Sequence, residues 1–398
     1  MVGNCRRGGR AGSELSILLA AARSDFSDNH ASLVRSAAPG VNWELLWDLA
    51  QGHGIGWLVA TNLRRLHTAS GHRLLPEAIE EAWQRDLWLN AARAILLAHT
   101  QASLGTAFDK ASVSGLWLKG LILSMQLYGC LDARACSDLD FLVKPDDVAP
   151  AVECLRKQGF LPHEEAKPGM GTHPVKSHHQ VWCKKATNGP VVVVELHQRL
   201  GGLRGCQPSA ESLSAASRTL CLLGQPLRVP SLQDELVLLC CHAHQHNFGF
   251  LRCLIDVAEY VKRNDSVLDW ENVYAAARVS RACGRVSSAL WLAHAMFGLT
   301  KRAVGCILPP MGRQLWAVRG LTGDRLGALG EEANRKRTLR LALLMDRWRD
   351  VFKHLCTGLF PPAEYLRAIY PSAWAGVPGL ARACYVFRGL TKVIESGN

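Results

Sequence analysis

The sequence lacks the features that would mark a membrane, fibrous or disordered protein. No apolar run approaches the ~18–20 residues that cross a bilayer, so we expect no membrane span. No internal repeat occurs, and the 35 glycines and 17 prolines are spread along the 398 residues. With 48% hydrophobic and 20% charged residues, the composition excludes a disordered, collagen-like or low-complexity protein. We expect a soluble globular protein of two to three compact units.

The 14 cysteines form no disulfide pattern. No two of them are spaced as Cys-X-X-Cys, and most lie inside apolar runs, as Cys240, Cys241 and Cys253 do. A free thiol in such a run behaves as a small buried hydrophobic side chain. We therefore predict reduced thiols and a cytoplasmic protein.

The N-terminus imitates a secretion signal, with three arginines ahead of an apolar stretch at residues 15–22. That stretch is short and runs into Arg23 and Asp25 with no clear cleavage site, so we expect no signal peptide. The loop-like composition of residues 1–13 predicts a disordered tail.

The net charge of +12 is concentrated near the C-terminus, where residues 301–398 carry 16 Lys or Arg and 7 Asp or Glu. One interpretation is attraction to a polyanion such as RNA, a nucleotide or an anionic membrane surface. The other is a solvated helical face, because residues such as Arg337, Arg340 and Arg347 alternate with apolar ones. We favour the solvated face and keep nucleic acid open as a partner of this region.

The spacing of apolar residues divides the chain into three regions. In residues 14–111 they recur every three or four positions, which indicates amphipathic helices. Residues 112–205 change to short apolar runs and strand-like alternation, which is typical of an α/β core. Residues 206–398 begin polar and become helical from about Leu232. We predict an α+β fold with a small mixed-sheet core flanked by N-terminal and C-terminal helical regions.

Within the core, the pattern predicts strand, helix, strand, helix and hairpin in that order. The hairpin crosses Asn188-Gly189, a dipeptide in which both residues tolerate positive φ. The predicted ranges are strand 116–118, helix 121–128, strand 137–143, helix 146–158, and hairpin strands 178–185 and 190–198.

Two carboxylates mark the second strand. Asp138 and Asp140 project from one face because strand side chains alternate, while Leu139 and Phe141 point into the core. Adjacent carboxylates repel each other unless a cation offsets them, and all-oxygen ligands suit Mg²⁺ or Mn²⁺ better than zinc. An ordinary surface strand edge would explain the pair equally well.

A third carboxylate, Glu195, follows four consecutive valines, which we interpret as a strand buried on both faces. A carboxylate there is costly unless it is paired or bound to metal. By parity Glu195 shares a face with His197, and a hairpin neighbour of the Asp138 strand would bring Glu195 to the same metals. Three such carboxylates can hold two Mg²⁺ ions that align a nucleophile with a triphosphate. The alternative is a strand-end residue in a surface ion pair.

Lys119-Gly120 ends the first strand and opens the following helix. Glycine lets the backbone approach a phosphate, the helix N-terminus favours negative charge, and Lys119 adds a positive charge. The pair alone carries little information, but its order ahead of the two carboxylate motifs is informative.

These motifs together resemble the core of an uncharacterised nucleotidyltransferase family within the DNA polymerase-β superfamily. The resemblance covers most of the chain and is most specific over residues 115–200. It is carried by Lys119, Gly120, Arg134, Asp138, Asp140, Gly159-Phe160, Glu195-Leu196-His197, His242 and Asp256.

The resemblance implies transfer of a nucleoside monophosphate from an NTP to an acceptor, with release of pyrophosphate. Asp138, Asp140 and Glu195 would hold Mg²⁺ or Mn²⁺, and Glu195 would complete the site or act as general base. Lys119 and Arg134 would offset phosphate charge. The remaining residues expected to bind the nucleotide are Gly120, His197 and His242.

The sequence departs from the family pattern at two places. The wider superfamily has a Gly-Ser pair where this chain has Lys119-Gly120, so the phosphate contacts must differ in detail. Gln198 stands where the family often has tryptophan, which affects packing near the third carboxylate. Neither change removes a metal ligand.

The histidines suggest further, weaker hypotheses. His242 and His246 have the i, i+4 spacing of a helical zinc site, with Asp256 as a conceivable third ligand. We favour instead a helix that packs its histidines against the cleft. His178 and His179 begin a strand that borders the cleft, and we interpret them as ordinary strand-edge residues.

Two other functions compete with nucleotidyl transfer. An Asp-X-Asp glycosyltransferase would bind a nucleotide-sugar through a divalent metal, but the larger domain expected before the motif is missing. A catalytically silent nucleotide-binding scaffold is the second alternative. The acceptor of a nucleotidyltransferase stays open among a peptide, a saccharide, a small molecule and RNA.

Overall fold

The computed structural model describes residues 12–70, 74–163, 179–185, 189–201, 206–322 and 340–359. Residues 1–11 of the expected tail lie outside these ranges, but the first helix already begins at Gly12, so Gly12 and Ser13 are helical instead of disordered. The basic residues at 335–337 also lie outside them. Within the described residues, no helix is both long and apolar enough to cross a membrane.

The region ahead of the sheet is helical, as its three- and four-residue spacing predicted. Side chains fix where several of these helices begin; for example, the Asn42 side chain accepts a hydrogen bond from the Leu45 amide at the start of α3. In the described residues these helices are α1 (Gly12–Ala21), α2 (Asp28–Ala37), α3 (Trp43–Gly52), α4 (Gly56–Ser70) and α5 (Glu77–Lys110).

The core is a five-stranded mixed sheet with strand order β1-β2-β5-β4-β3. β2 runs parallel to β5, and the other neighbouring strands are antiparallel. The elements are β1 (Gly115–Leu118), α6 (Gly120–Tyr128), β2 (Leu139–Val143), α7 (Val148–Lys157), β3 (Leu161–Pro162), β4 (His179–Lys185) and β5 (Val191–His197). This confirms the predicted α+β class and the predicted order of strands and helices.

The boundaries differ from the predicted ones by a few residues. β2 begins at Leu139 and not at residue 137, and a 3-10 turn (Pro145–Asp147) precedes α7. β4 and β5 pair as an antiparallel hairpin, as predicted, although Asn188 of the expected turn lies outside the described residues.

A second hairpin was not predicted. β6 (Arg218–Leu222) and β7 (Gln225–Val229) pair across Leu223-Gly224, and both turn residues have positive φ, 50° and 81°. That is the geometry of a type I′ turn, in which asparagine or glycine is usual at the first position. Leucine at that position hid the turn signal, and the segment was therefore read only as polar chain ahead of the C-terminal helices.

Helices make up most of the described chain after this hairpin, as predicted from about Leu232. A short helix, α8 (Ala210–Ala215), precedes β6. The later ones are α9 (Leu232–Gln245), α10 (Leu251–Asn264), α11 (Trp270–Val279), α12 (Cys283–Phe297), α13 (Lys301–Cys306), α14 (Arg313–Thr322) and α15 (Trp348–Leu359).

Two large apolar cores hold these layers together. One joins α1–α4 to α9–α12, so the N-terminal and C-terminal helices pack on each other. The other lies between α5, α7 and one face of the sheet, where the Phe108 and Phe141 rings stack at 4.5 Å. The opposite sheet face is apolar at Leu118 and Leu142, against α8 and α9. On β2 that same face carries Asp140, so the fold leaves one end of it for polar chemistry.

Gly115 tests the packing of β1 against β2. A Cβ atom there would lie 2.8 Å from the Leu142 carbonyl oxygen and would overlap the Phe141 ring. We expect Gly115→Ala to lower the free energy of unfolding by about 1–3 kcal/mol, measured by urea denaturation. Gly305→Ala is the matched control, because a Cβ there meets nothing within 4 Å. Equal destabilisation by both changes would contradict this packing.

Candidate functional site

All eight site residues predicted from the sequence line one cavity of about 510 Å³. The cavity lies where the polar end of the sheet face meets α9, and residues of α10, α12 and α15 complete its wall. The eight residues are Lys119, Gly120, Arg134, Asp138, Asp140, Glu195, His197 and His242.

The two aspartates lie where β2 begins. Leu139 and Phe141 are buried in the core under the sheet, so the alternation of the strand turns Asp138 and Asp140 to the cavity. The thiol of Cys136 donates to the Asp138 carbonyl oxygen at 3.0 Å and ties down the segment that enters the strand. The predicted shared face of the two carboxylates is therefore present.

Asp140 contacts two side chains of the site, Lys119 and His197. Its Oδ2 lies 3.2 Å from Nζ of Lys119, and its Oδ1 accepts a hydrogen bond from Nε2 of His197 at 2.8 Å. Burial alone would raise the pKa of Asp140, but Lys119 and His197 outweigh it and hold that pKa well below its ordinary value. Asp140 is thus an anion held between two cationic partners.

Asp138 has no ion-pair partner among the described residues. Burial, followed by the charges of Asp140 and Glu195, raises the pKa of Asp138 above its ordinary value. A buried carboxylate that has no ion-pair partner is stabilised by binding either a proton or a cation.

Glu195 lies directly opposite Asp140 because β2 and β5 are parallel neighbours in that register. We expected a hairpin neighbour to bring Glu195 to the aspartates; the neighbour is a parallel strand, which gives the same result. Oε2 of Glu195 lies 3.4 Å from Nε2 of His197 and 3.7 Å from Nε2 of His179. Burial works against ionisation, but the hydrogen bond from His197 lowers the pKa of Glu195.

The expectation that β5 is buried on both faces is wrong. Val192 and Val194 are buried in the core, whereas Val191 and Val193 are only partly buried on the face that carries Glu195. The four valines therefore reflect β propensity as much as burial.

His197 contacts two of the acidic side chains, Asp140 and Glu195, and lies next to β4. It is directly opposite His179 in the β4–β5 register, and the two rings lie 5.0 Å apart. Burial would lower the pKa of His197, but its hydrogen bonds to Asp140 and Glu195 raise it to about 9. A positively charged His197 and Lys119 together offset negative charge at this end of the cavity.

Lys119 lies at a sharp turn between β1 and α6. Its φ is 47°, and that of Gly120 is 56°, so two consecutive residues have left-handed backbone angles. Such angles are unfavourable for lysine and are found mainly where the surrounding fold enforces them, often at functional sites. Besides Asp140, Nζ of Lys119 meets Nδ1 of His242 at 3.4 Å. The turn thus aims a cationic side chain and a helix N-terminus at the carboxylates.

Arg134 lines the cavity but already has a partner. Its Nε donates to Oδ2 of Asp256 at 2.9 Å, and both side chains are almost fully buried. Despite burial, Asp256 raises the pKa of Arg134 further, so the guanidinium stays charged. Part of the charge that the sequence assigned to phosphate binding is therefore offset by Asp256.

His242, His244 and His246 line the cavity, as favoured, and Asp256, the conceivable third ligand of a zinc site, is engaged by Arg134. The rings of His242 and His246 lie 4.5 Å apart. Burial and the charge of Lys119 lower the pKa of His242 well below its ordinary value, so His242 is neutral.

Two sets of donor atoms could hold a metal, and they share Glu195. Asp138, Asp140 and Glu195 offer carboxylate oxygens of the kind that a hard divalent ion prefers, but in the described structure these three do not bring one oxygen each within 4.8 Å of one another. His179, Glu195 and His197 place one ligand atom each within 4.8 Å of one another, the one such group found in the described residues. Imidazole nitrogens suit transition metals better than Mg²⁺.

Several cavity residues were missed or undervalued by sequence reasoning. His179 was interpreted as a strand-edge residue, yet a hairpin centred on Asn188 pairs it with His197, so the turn signal could have identified it. Gln207, Arg252 and Arg285 lie far from the motifs along the chain and carried no signal of their own.

One family of proteins matches this chain over most of its length. A family model described as "Uncharacterised nucleotidyltransferase" matches residues 39–298, well over half of the chain, and that range contains all eight predicted site residues. No match to a curated protein was found.

Proposed function

The chain belongs to the uncharacterised nucleotidyltransferase family, and on that premise we propose that it transfers a nucleoside monophosphate from an NTP to an acceptor, with release of pyrophosphate. The observation that carries the proposal is the register of β2 and β5. It puts Asp140 opposite Glu195, with Asp138 on the same face and Lys119 at 3.2 Å from Asp140. Three carboxylates and a cation thus line the same cavity.

Asp138, Asp140 and Glu195 are the residues that would hold Mg²⁺ or Mn²⁺. When bound, such an ion neutralises triphosphate charge and favours deprotonation of the attacking oxygen. The acidic donor set and the unpaired Asp138 support this assignment. Asp140 would have to share its carboxylate with Lys119 and His197, or exchange those contacts, when an ion binds.

The other side chains would bind and orient the nucleotide. Lys119 and the backbone of Gly120 open α6, where the partial positive charge of the helix adds to the charge of Lys119. The triphosphate would lie against this turn. His242, neutral and 3.4 Å from Lys119, would donate or accept a hydrogen bond at the same place.

Transfer requires one proton movement that the chain can supply. The acceptor oxygen would attack the α-phosphorus, forming a new P–O bond as the bond to pyrophosphate breaks. Glu195, ionised and partly open to the cavity, would take the proton of an acceptor hydroxyl. His179 and His197 both contact Oε2 of Glu195 and would orient its carboxylate.

A binding experiment tests the nucleotide and metal parts of the proposal before the acceptor is known. Melting curves of wild type and of Asp138→Asn with Asp140→Asn are compared with each NTP and several nucleotide-sugars, with and without Mg²⁺ or Mn²⁺. A ligand at about 100 times its Kd stabilises the native state by about 2.7 kcal/mol. We expect metal-dependent stabilisation of wild type by an NTP, and its loss in the double variant.

Other outcomes of this experiment identify the competing functions. Stabilisation by nucleotide-sugars alone would contradict nucleotidyl transfer and favour glycosyl transfer. Binding of NTP that persists in the double variant, with no need for metal, would contradict the metal site and favour a binding scaffold.

A further inference from the structure

The cavity also carries hydrogen-bond donors that lack acceptors. Three buried nitrogen atoms of cavity-lining side chains have no hydrogen-bond partner in the described structure: Nε of Arg252, Nε of Arg285 and Nε2 of Gln207. Buried polar groups are normally satisfied, so several unsatisfied donors that line the same cavity indicate a missing acceptor.

Arg285 is the strongest of the three. It lies on α12, and only 2% of its surface is exposed. Its Nη2 donates to the backbone carbonyl oxygens of Cys206, Ser280 and Arg281, which fixes the guanidinium in place. No carboxylate lies within ion-pair distance of Arg285 in the described residues.

The acidic side chains near the start of α12 are engaged elsewhere. Asp350 pairs with Arg281, with an Oδ1 to Nη1 distance of 3.1 Å. Asp346 accepts the backbone amides of Cys283 and Gly284 at 2.9 and 2.7 Å. Arg285 therefore has no direct ion-pair partner among the described residues, although a buried charge without a direct partner is unfavourable.

Arg252 and Gln207 are the other two cavity-lining residues with a buried donor that lacks a partner in the described structure. Arg252 donates from Nη1 to the Ala135 carbonyl oxygen at 2.8 Å and has no ion pair within the described chain. Gln207 follows Cys206, whose carbonyl oxygen accepts a hydrogen bond from Arg285, and the side chains of Gln207 and Arg285 line the same cavity. An anionic group with several acceptor atoms would accept hydrogen bonds from these donors.

We propose that Arg285, with Gln207, binds an anionic group of the acceptor, either a carboxylate or a phosphate. This rests on the proposed function, because that function assigns the carboxylates, Lys119 and Gly120 to the metal and the NTP and leaves Arg285 and Gln207 to the acceptor. Asp138, Asp140 and Glu195 repel a free anion, whereas the planar fork of a fixed guanidinium matches the oxygens of a carboxylate or phosphate. The acceptor is thus a molecule with an anionic group at one end and the nucleophile directed to the carboxylates.

Anion titrations without NTP or metal test this subsite alone. Inorganic phosphate and acetate are titrated at constant ionic strength into wild type, Arg285→Lys, Gln207→Glu and the control Arg281→Lys. Arg281 is a neighbouring arginine that already has Asp350 as a partner. Tighter binding of phosphate than of acetate would identify a phosphate-bearing acceptor, and the reverse order a carboxylate.

We expect Arg285→Lys and Gln207→Glu each to raise the Kd of the preferred anion by about tenfold or more, since a hydrogen bond to a charged group is worth about 1.5–3 kcal/mol. Arg281→Lys should leave it within about twofold, the usual scatter of such measurements. Gln207→Glu keeps the side-chain shape, so it tests the subsite even if the Arg285 variant folds poorly.

The results that would overturn the subsite differ from those that would overturn the nucleotide site. Failure of wild type to bind either anion, or unchanged binding in both variants, contradicts the subsite and leaves NTP binding untouched. If Arg285→Lys weakens NTP binding as much as it weakens anion binding, Arg285 belongs to the nucleotide site, which contradicts the acceptor role.

Discussion

Replacing Asp140 by asparagine is expected to lower metal-dependent pyrophosphate release from NTP by at least about 10³-fold, because a catalytic metal is worth several kcal/mol of transition-state stabilisation. Asparagine keeps the shape of the side chain but removes the charge that Lys119 and His197 contact at 3.2 and 2.8 Å. The loss should therefore appear as lost metal affinity and lost rate, with little change in the folded structure. Labelled NTP, with water or an identified acceptor as nucleophile, provides the assay.

Asp146→Asn is the matched control for this change. Asp146 is an exposed carboxylate in the 3-10 turn that follows the same strand, and it does not line the cavity. Its replacement should leave the rate within about twofold, as expected of a surface substitution. Activity that survives in Asp140→Asn at more than a tenth of the wild-type rate would contradict the assignment of Asp140 as a metal ligand.

His179→Gln decides between the two donor sets in the same assay. If the carboxylates hold the ion, the glutamine variant keeps Mg²⁺ binding and loses only the orientation that His179 gives to Glu195. The loss should then be about 10–100-fold, as is typical of groups that orient a ligand. If the set of His179, Glu195 and His197 holds the ion, the variant should lose activity as severely as Asp140→Asn.

Local pattern was enough to predict the strand that carries the aspartates. A strand alternates with a period of two, so Asp138 and Asp140 had to share a face once Leu139 and Phe141 were assigned to the core. The turn at Lys119-Gly120 was likewise predictable, because a glycine at the junction of an apolar run and a helix marks a tight turn. Both predictions depend only on residues close in sequence.

Pairing between distant segments was harder to predict. Glu195 was correctly expected near the aspartates, but as a hairpin neighbour of their strand and not as a residue of a parallel one. Parallel pairing gives no turn signal, because the two strands are joined by a long connection that contains α7, β3 and β4. The sequence therefore indicated which side chains converge, and the structure was needed for the register.

The place of Arg285 in the cavity could not be predicted from the sequence. Arg285 is the only Lys, Arg, Asp or Glu of its helix, and an isolated arginine of this kind suggests only a surface side chain. Its burial follows from the packing of α12 against α9 and α10, and its missing counter-ion is a property of that packing. A site residue that is buried only by the packing of distant helices leaves no periodic pattern in the sequence.

Asp256→Ala is expected to destabilise the protein by about 3–5 kcal/mol, because it leaves the buried charge of Arg134 without its partner. Only 6% of the Arg134 side chain and 2% of the Asp256 side chain are exposed, so water cannot replace the lost carboxylate. Urea denaturation gives the change in the free energy of unfolding. Asp265→Ala removes the partially exposed pair with Arg302 at 3.6 Å and should cost less than about 1 kcal/mol.

A double variant distinguishes two roles of Arg134, which are the structural pair with Asp256 and contact with phosphate. Its backbone amide donates to Oγ of Ser124, and its side chain ties the segment ahead of Asp138 to α10. If this tie is the main role, Arg134→Met with Asp256→Leu should recover most of the stability and retain NTP binding, since both charges are removed together. Recovered stability with lost NTP binding would instead show that the guanidinium contacts phosphate in addition to Asp256. Asp256→Ala with no measurable destabilisation would contradict the buried pair itself, because no other described side chain forms an ion pair with Arg134.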